Sequence, residues 1–453
     1  MMDEAIFCQA KKLHFVGIGG SGMFPIVQIL LTKGYEITGS DNNEGDIITK
    51  EREMGIPVII GHSAANIGNA DALVYSAAIM QENVELTFAR ERGIPAFERC
   101  EVLGYLTRQF DNCICVSGTH GKTTTTAMLT QLLLESGMDP SAVIGGKLPA
   151  IDGYGRSGAS QIMTCEACEF NDTFLHLSPD ISVILNIDAD HLDYFGSMDN
   201  IIKSFRKFTL MTSRLIIING DDDNSRKAVE GIEKNIVTFG FGRNNDYIVE
   251  KLVSNSPVST SFDLCRNGMY FWRFTVNVPG RHNVLNATAA IVAAIHSGAE
   301  PAALGKSLPN FRGAGRRFEI LGERNGITIA DDYAHHPVEL KATLETAMKM
   351  GYGKVWAVFQ PFTFSRTALL LNEFADALAI PDHVVMSEIM GGREANTYNI
   401  YTRDLAKKIP NSVWFPEFEQ IAEYVLAHAR PGDLILTLGC GDIYKCARMM
   451  LTQ

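Results

Sequence analysis

The sequence predicts an α/β fold, because short apolar runs that read as buried strands alternate with helical patterns along the whole chain. Two of the strand-to-helix junctions are rich in glycine, and strands separated by helices form parallel sheets. A length of 453 residues corresponds to about three domains. We therefore expect a first domain over residues 1–110, a central domain over 111–315 and a third over 316–453.

Composition excludes several classes of function. The net charge of −12 argues against a nucleic-acid or anionic-membrane partner, and no apolar run is long enough to span a bilayer. The first residues are acidic and lack the basic region of a signal peptide. The nine cysteines are scattered and stand mostly in apolar runs, so buried thiols are favoured over a zinc or redox role for Cys165 and Cys168. These observations together predict a cytoplasmic protein.

The first glycine-rich junction follows a strand at Leu13–Val16 and precedes a helix over Phe24–Lys33. Its G-x-G-x-x-G pattern and the later Asp41, at the end of the next strand, form a good dinucleotide fingerprint. The same glycines would hold any nucleotide diphosphate, so the pattern indicates a pyrophosphate and a Rossmann-like domain. The candidate binding residues are Gly19, Gly20, Ser21, Gly22, Asp41 and Ser76, the last of which follows another strand of this domain.

The second junction follows the strand Cys113–Ser117 and opens a helix that runs to about Ser136. It reads Gly118-Thr119-His120-Gly121-Lys122-Thr123-Thr124, the build of a phosphate-binding loop (P-loop). Its backbone N–H groups and the helix N-terminus would attract phosphate oxygens. Lys122 would reach the terminal phosphates and the Thr123 hydroxyl would bind magnesium. Val116 stands where the longer form of this motif has its first glycine.

Acidic and histidine side chains follow the next strands of the central domain. Glu166 and Glu169 are the two acids at the end of the strand predicted over Ile162–Glu169, and His191 follows the strand over Ser182–Ile187. Residues at the carboxyl ends of strands beside a phosphate loop are placed to bind magnesium. A polar loop residue is the competing interpretation for Glu166 and for His191.

The rest of the chain supplies further elements. A hairpin is predicted around Arg266–Gly268 and a helix over Val284–Ser297. The basic, glycine-punctuated stretch Asn310–Phe318 is the candidate linker into the third domain. An arginine of this stretch would reach a phosphate, or the stretch is simply solvated. The third domain is predicted to be Rossmann-like, with polar residues such as Asp332, His335 and Arg366 after its strands.

Four of these segments resemble the Mur ligase family when they are taken together and in order. They are His14–Met23, Gly118–Thr125, Asn186-x-x-x-Asp190-His191 and Asp331–Pro337. The resemblance extends from about Leu13 to the C-terminus and is strongest to the branch that joins L-alanine to UDP-N-acetylmuramate. It implies an ATP-dependent ligase of peptidoglycan precursor synthesis, with ATP and Mg²⁺ as cofactors.

The resemblance also implies roles for individual residues. The UDP-sugar would bind the Gly19–Gly22 loop with Asp41 and Ser76, and Lys122 and Thr123 would hold ATP phosphates. Glu166 would share the first magnesium with Thr123, and His191 would bind a second. The stretch with His282, Asn283 and Asn286 would contact the adenine of ATP. Arg316 or Arg317 would approach its γ-phosphate, and Asp332 would lie near its ribose. Tyr333, His335 and Arg366 would lie near the amino acid and the reacting carboxylate. Lys122, His191, Arg366 and His335 are the expected catalytic residues.

Departures from the family pattern leave alternatives open. The family often reads E-A-D-E-S-D where this chain has Glu166-Ala167-Cys168-Glu169-Phe170-Asn171, and Phe362 replaces a common histidine near the amine site. L-alanine is the expected amine, with glycine, L-serine or a tripeptide as alternatives. A second alternative for the whole protein is a non-catalytic paralogue that binds UDP-sugar or ATP. A nicotinamide-dependent oxidoreductase is a further alternative, but in such an enzyme the phosphate loop would have no function. The oligomeric state is left as monomer or homodimer.

Overall fold

The computed structural model describes residues 3–392 and 394–452, and these residues form two compact units. The first unit consists of the described residues up to Lys251, together with Phe262–Phe274 and Leu285–Phe311. The second consists of Leu252–Ser261, Thr275–Val284 and the described residues from Arg312 onward. The strands form three sheets, of five, ten and six strands.

The first sheet is parallel, with strand order β3-β2-β1-β4-β5. Its strands are β1 Lys12–Val16, β2 Glu36–Asp41, β3 Val58–Ile60, β4 Ala72–Tyr75 and β5 Ala96–Glu98. Its helices are α1 Glu4–Gln9, α2 Phe24–Thr32, α3 Asp46–Glu53, α4 Val84–Arg92 and α5 Arg99–Thr107, and a 3-10 helix covers Ala64–Ile67. The order reverses at β1, so the glycine-rich turn after this strand lies where open α/β sheets bind ligands.

The second sheet has the order β15-β14-β13-β12-β11-β10-β6-β9-β7-β8. Its strands are β6 Asn112–Ser117, β7 Ser141–Leu148, β8 Gly153–Arg156, β9 Ile162–Glu166, β10 Ile181–Ile184, β11 Leu215–Asn219, β12 Ile236–Gly240, β13 Tyr247–Ser256, β14 Ser259–Arg266 and β15 Met269–Val276. Its helices are α6 Lys122–Glu135, α7 Leu192–Phe195, α8 Met198–Met211, α9 Asp223–Val229, α10 Arg281–His296 and α11 Pro301–Ser307, with 3-10 helices over Pro149–Ile151, Phe170–His176 and Leu308–Asn310. The strand before the phosphate loop, β6, lies between β9 and β10 and is parallel to both.

The third sheet belongs to the second unit and has the order β16-β17-β21-β18-β19-β20. Its strands are β16 Glu319–Arg324, β17 Ile327–Asp332, β18 Val355–Phe359, β19 His383–Met386, β20 Val413–Trp414 and β21 Leu434–Leu438. Its helices are α12 Pro337–Met348, α13 Phe364–Leu369, α14 Leu371–Leu378, α15 Thr402–Ala406, α16 Phe418–His428 and α17 Tyr444–Thr452. All strand pairs are parallel except the edge pair β16–β17.

The α/β fold class is confirmed, and most strands and helices lie where the sequence patterns place them. The predicted hairpin joins β14 to β15 through Asn267 and Gly268, whose positive φ values of 51° and 76° suit a tight two-residue turn. Helix α10 begins at Arg281, three residues before the predicted start at Val284, so His282 and Asn283 belong to its first turn. The domain boundaries at 110 and 315 stay predictions.

Candidate active site

The phosphate loop connects β6 to α6, and Asn186 at the end of the neighbouring strand holds it in shape. The Asn186 backbone oxygen accepts from Thr119 N at 3.0 Å, its Oδ1 accepts from His120 N at 2.8 Å, and its Nδ2 donates to His120 O at 3.0 Å. The loop amides of Thr119 and His120 are therefore engaged in this support. Gly121 has φ of +87°, and a Cβ there would lie 2.6 Å from Asn286 Oδ1. Only glycine fits this position without strain.

Lys122, the first residue of α6, is mostly buried and paired with an acid. Its Nζ lies 2.8 Å from Glu169 Oε2 and donates to Glu169 Oε1 at 3.0 Å and to Thr119 O at 3.1 Å. The Glu169 side chain is only 3% exposed. Burial lowers the pKa of Lys122, but the facing Glu169 carboxylate outweighs this effect and raises the pKa above its ordinary value. The lysine is therefore a fixed positive charge at the base of the loop.

Glu166 and Thr123 lie together at the carboxyl ends of β9 and β6. Thr123 Oγ1 donates to Glu166 Oε1 at 3.1 Å, and Gly145 N donates to Glu166 Oε2 at 2.8 Å. A hydroxyl and a carboxylate are the hard oxygen donors that Mg²⁺ prefers. These two residues are suited to bind a magnesium ion whose other ligands are mostly phosphate oxygens and water. They are the pair that the sequence predicted.

His191 lies in a left-handed backbone conformation, with φ of +53°, at the start of α7. Its ring lies tilted by 49° against the Phe170 ring, with 4.7 Å between the centroids, and its Nε2 is 3.7 Å from Asp190 Oδ2. Among residues 3–392 and 394–452, no group of three or more His, Cys, Asp or Glu side chains could hold a metal ion. The role of His191 in binding a second magnesium stays a prediction.

The first glycine loop is tied to Asp41 of β2. Gly19 N donates to Asp41 Oδ2 at 3.0 Å, and Asn43 N donates to Asp41 Oδ1 at 3.1 Å. A Cβ at Gly19 would lie 2.8 Å from the Ile48 side chain, so the backbone approaches α3 closely there. The Asp41 carboxylate thus orients the loop. The same carboxylate is the group that the sequence predicts to bind the sugar nucleotide. Ser76 Oγ accepts from Ala78 N at 3.2 Å in the turn after β4.

A cavity of about 320 Å³ extends from the first glycine loop to Glu166 within the first unit. Its lining includes Gly20, Ser21, Gly22, Ser76, Arg99, Gly145, Glu166 and Cys168. The sequence patterns predicted five of these residues for binding: Gly20, Ser21, Gly22, Ser76 and Glu166. They did not show that Glu166 shares one cavity with the residues predicted to bind the sugar nucleotide. Arg99 and Gly145 were missed, although Arg99 directly follows β5 at the ligand-binding edge of a parallel sheet.

Two neighbouring arginines of the basic linker, Arg316 and Arg317, have different surroundings. Arg316 Nε donates to Asp331 Oδ2 at 2.8 Å, its guanidinium donates to Gly439 O at 2.6 Å, and it lies over the rings of Tyr333 and Tyr444. These contacts hold the Arg316 side chain within its own unit. Arg317 lies over Tyr333 at 5.1 Å and remains the candidate for contacting a phosphate.

Asp332 ends β17 and is almost fully buried. Its Oδ2 accepts from Phe318 N and its Oδ1 accepts from Ala334 N, both at 2.7 Å. Burial raises the pKa of Asp332 to about 6, against the opposing effects of Arg317 and these two amides. The carboxylate fixes the linker to the strand end, and each oxygen has a lone pair left for the predicted ribose contact.

The remaining predicted residues of the second unit are Tyr333, His335 and Arg366. The rings of Tyr333 and His335 meet edge to face at 5.5 Å, and His335 Nδ1 is 3.0 Å from Tyr333 O and 3.3 Å from Glu339 Oε2. Arg366 lies in α13, which begins after the turn that follows β18. Tyr333 O and Glu339 therefore position the His335 ring beside the start of α12, and the roles of His335 and Arg366 stay predictions.

Helix α10 carries the three residues predicted to meet adenine. Asn286 belongs to the first unit and its Oδ1 approaches Gly121 of the phosphate loop. His282 and Asn283 belong to the second unit, where Asn283 Nδ2 donates to Pro279 O at 2.6 Å and the His282 ring lies against Gly280. Asn286 is thus next to the loop, and the adenine contacts stay predictions.

Family models match almost the whole chain. The Mur ligase family catalytic domain matches residues 12–111, the Mur ligase middle domain matches 116–294, and the Mur ligase glutamate ligase domain matches 316–441. No helix among the described residues is long and apolar enough to cross a membrane.

Relatives and solved structures agree with these models. The UDP-N-acetylmuramate–L-alanine ligase of Alkaliphilus metalliredigens is 39% identical over 100% of this chain and 99% of its own length. The enzyme of the same name from Acetivibrio thermocellus is 40% identical over 97% and 96%. The crystal structure of UDP-N-acetylmuramate–alanine ligase from Thermotoga maritima superposes with a TM-score of 0.84 at 29% identity, over 97% of this chain and 98% of that one.

The fold and the loop define a nucleotide-binding α/β enzyme of the ligase class. The chain belongs to the Mur ligase family. The family assignment made from four short motifs is confirmed, and so is the α/β fold class.

Proposed function

We propose that this chain is the ligase that joins L-alanine to UDP-N-acetylmuramate with cleavage of ATP to ADP and phosphate, in peptidoglycan precursor synthesis. Relatives with this name cover the chain from end to end at about 40% identity, which supports the proposal. The structural observation that carries it is the cavity of the first unit. The pyrophosphate-type loop Gly20–Gly22 and Glu166 of the magnesium pair line the same space. A sugar nucleotide held by the first would direct its sugar towards the second.

The chemistry needs positive charge between two anions. The lactyl carboxylate of the sugar attacks the γ-phosphorus of ATP, ADP leaves, and an acyl phosphate forms. The nitrogen of L-alanine then attacks the acyl carbon, phosphate leaves, and the amine loses a proton as the amide forms. Lys122 supplies a buried, permanently protonated ammonium beside the loop. Mg²⁺ held by Thr123 and Glu166 would add charge neutralisation at the phosphates.

Each remaining residue has a proposed role within its own unit. In the first unit, the loop from Gly118 to Thr124 and Asn286 are assigned to ATP, His191 to a second metal ion, and Gly19–Gly22, Asp41 and Ser76 to the sugar nucleotide. In the second unit, His282, Asn283, Arg317 and Asp332 are assigned to ATP. His335 and Arg366 are assigned to the amino acid. The cytoplasm is the proposed compartment, and the oligomeric state is proposed as monomer or homodimer.

The test is phosphate release from MgATP in the presence of UDP-N-acetylmuramate and one amine at a time. L-alanine, glycine, L-serine and the tripeptide make up the panel, because Phe362 replaces a histidine near the amine site. Release far above background with L-alanine supports the proposal. Release with another amine assigns the chain to a different ligase of the family. Binding of the sugar nucleotide without release with any amine would favour the non-catalytic paralogue.

A further inference from the structure

A buried network of polar side chains is centred on Glu85 of α4. The Glu85 side chain is fully buried, and its Oε2 accepts from Ser40 Oγ at 2.7 Å. Its Oε1 accepts from Asn66 Nδ2 at 2.7 Å and from Ser63 N at 3.2 Å. Burial raises the pKa of Glu85, but the contact with His14 and these hydrogen bonds outweigh it and lower the pKa to about 2. A buried charge is costly, so the carboxylate needs a specific explanation.

Two histidines face the same carboxylate. His62 Nδ1 lies 3.3 Å from Glu85 Oε2 and 3.1 Å from Ser40 Oγ, so this nitrogen carries a proton. His14 is fully buried, with Nε2 3.6 Å from Glu85 Oε2 and Nδ1 2.9 Å from Thr38 Oγ1. His14 opens the first of the four family-like segments, and the proposed function gives it no role. The network ties β1, β2 and the turn after β3 to α4, all within the first unit.

Ser40 connects this network to the first glycine loop. Its backbone oxygen accepts from Gly17 N at 2.8 Å and from Ile18 N at 3.1 Å. The next residue, Asp41, accepts from Gly19 N at 3.0 Å through its carboxylate. Three consecutive amides at the start of the loop are therefore held by two consecutive residues of β2. The position of the Ser40 backbone thus decides where the loop lies.

The close contact between β2 and the loop makes this position sensitive to small shifts. A Cβ at Gly39 would lie 2.5 Å from Ile18 Cδ1 and 2.8 Å from Ile18 Cβ, so the loop packs directly on the backbone of the strand. The bond from Ser40 Oγ to the Glu85 carboxylate fixes the neighbouring residue of the same strand. A hydrogen bond to an ionised group is stronger than a neutral one, which gives the buried charge a use.

We propose that Glu85 is a positioning residue for the sugar nucleotide: through Ser40, its carboxylate holds the Gly19–Gly22 loop in the conformation that binds the pyrophosphate. This inference rests on the proposed function and assigns a role to a residue that none of the sequence motifs singled out. A loop that is already held in its binding conformation binds more tightly, because less conformational freedom is lost when the ligand arrives.

The test is the calorimetric Kd for UDP-N-acetylmuramate in Glu85→Gln, with exposed Glu91→Gln on the same helix as the matched control. The amide replaces a charged hydrogen bond to Ser40 by a neutral one, so the Kd should rise about 10-fold in Glu85→Gln only. The Kd for MgATP, whose proposed loop is on the second sheet, and kcat at saturating substrates should not change. A lower Tm in Glu85→Gln with an unchanged Kd for UDP-N-acetylmuramate would show a purely structural role and overturn the proposal.

Ser40→Ala and Thr38→Val test the path through the network. Ser40→Ala removes the hydroxyl that links Glu85 to the loop, so it should raise the Kd for UDP-N-acetylmuramate about 10-fold, and by less in the Glu85→Gln background. Thr38→Val removes the contact with His14 and should leave this Kd unchanged. Equal rises in Ser40→Ala and Thr38→Val would overturn the proposal, and so would fully additive effects of Ser40→Ala and Glu85→Gln. The comparison of Ser40→Ala with Thr38→Val decides even if Glu85→Gln does not fold.

The same measurements separate this inference from the proposed function. If the parent binds UDP-N-acetylmuramate but releases no phosphate with any amine, the proposed function fails, and the Kd values still test Glu85. If the parent binds NADH in place of UDP-N-acetylmuramate, the Kd for NADH is compared among the variants instead. A parent that binds neither ligand would overturn both the proposed function and the role of Glu85.

Discussion

The Glu169 carboxylate lies 2.8 Å from the Lys122 ammonium, across 47 residues of sequence. Neither group is more than 14% exposed, so the pair is screened little by water. Glu169, which follows the end of the neighbouring strand β9, therefore fixes the Lys122 ammonium at the phosphate loop.

Glu169→Gln should make the first unit depend more on nucleotide for its stability. The variant leaves a buried ammonium without its counter-ion, which we expect to cost about 3 kcal/mol. Phosphates that bind to Lys122 would replace the missing charge. The rise in Tm on addition of MgATP should thus be larger in Glu169→Gln than in the parent, while exposed Glu233→Gln should match the parent. Equal rises in all three proteins would show that the carboxylate does not hold the lysine.

Lys122→Ala should separate the two nucleotide sites. Loss of the ammonium removes charge stabilisation from the phosphates, so turnover should fall by about 100-fold or more. Binding of UDP-N-acetylmuramate should be largely intact, because its proposed loop is on the first sheet. Phosphate release and calorimetric titration measure the two properties, with exposed Lys203→Ala as the control. Loss of both properties in Lys122→Ala would mean that the sites have been divided wrongly.

Gly145→Ala should weaken magnesium binding through Glu166. A Cβ at position 145 would lie 2.6 Å from both carboxylate oxygens of Glu166, so this side chain must move away from Thr123. We expect the Mg²⁺ concentration for half-maximal phosphate release to rise about 10-fold, as for other residues that orient a metal ligand.

The matched control for this change is Gly45→Ala, where no atom lies within 4 Å of the added Cβ and the extended φ of −174° suits any residue. An unchanged magnesium requirement in Gly145→Ala would argue against Glu166 as a ligand.

The protonation of Glu51 should cause the free energy of unfolding to fall as the pH rises. This side chain of α3 is fully buried, neither carboxylate oxygen has a hydrogen-bond partner among the described residues, and burial with the Asp41 charge raises its pKa from 4.5 to about 8. Below pH 4.5 the folded and unfolded chains both hold the proton. Between pH 4.5 and 8 only the folded chain holds it, so each rise in pH favours unfolding; above pH 8 the effect is complete.

Glu51→Gln removes this titration. Its Tm should exceed that of the parent at pH 8 by an amount equivalent to about 4 kcal/mol, and the advantage should shrink towards pH 5. Exposed Glu53→Gln on the same helix is the control. A parent Tm that follows the same pH profile as Glu51→Gln would contradict a buried, protonated carboxyl.

Local patterns were enough to locate both nucleotide loops, because apolar periodicity and glycines report on neighbouring residues. They could not show that Glu169 pairs with Lys122 or that Arg99 shares a cavity with Glu166. These relationships depend on which distant strands become neighbours in a sheet. The antiparallel edge strands β8 and β16 were missed for the same reason, since the edge of a sheet has no distinct periodicity. His282 and Asn283 were placed before α10 because no capping signal marks its true start.

The support that Asn186 gives to the phosphate loop also bears on how the protein folds. Asn186 is 66 residues beyond His120, and β6 lies between two strands that come later in the chain. During synthesis the Gly118–Thr123 segment thus leaves the ribosome well before its supporting strands exist. The nucleotide loop takes shape only when β9 and β10 have docked on β6, so ATP can stabilise this unit only late in folding.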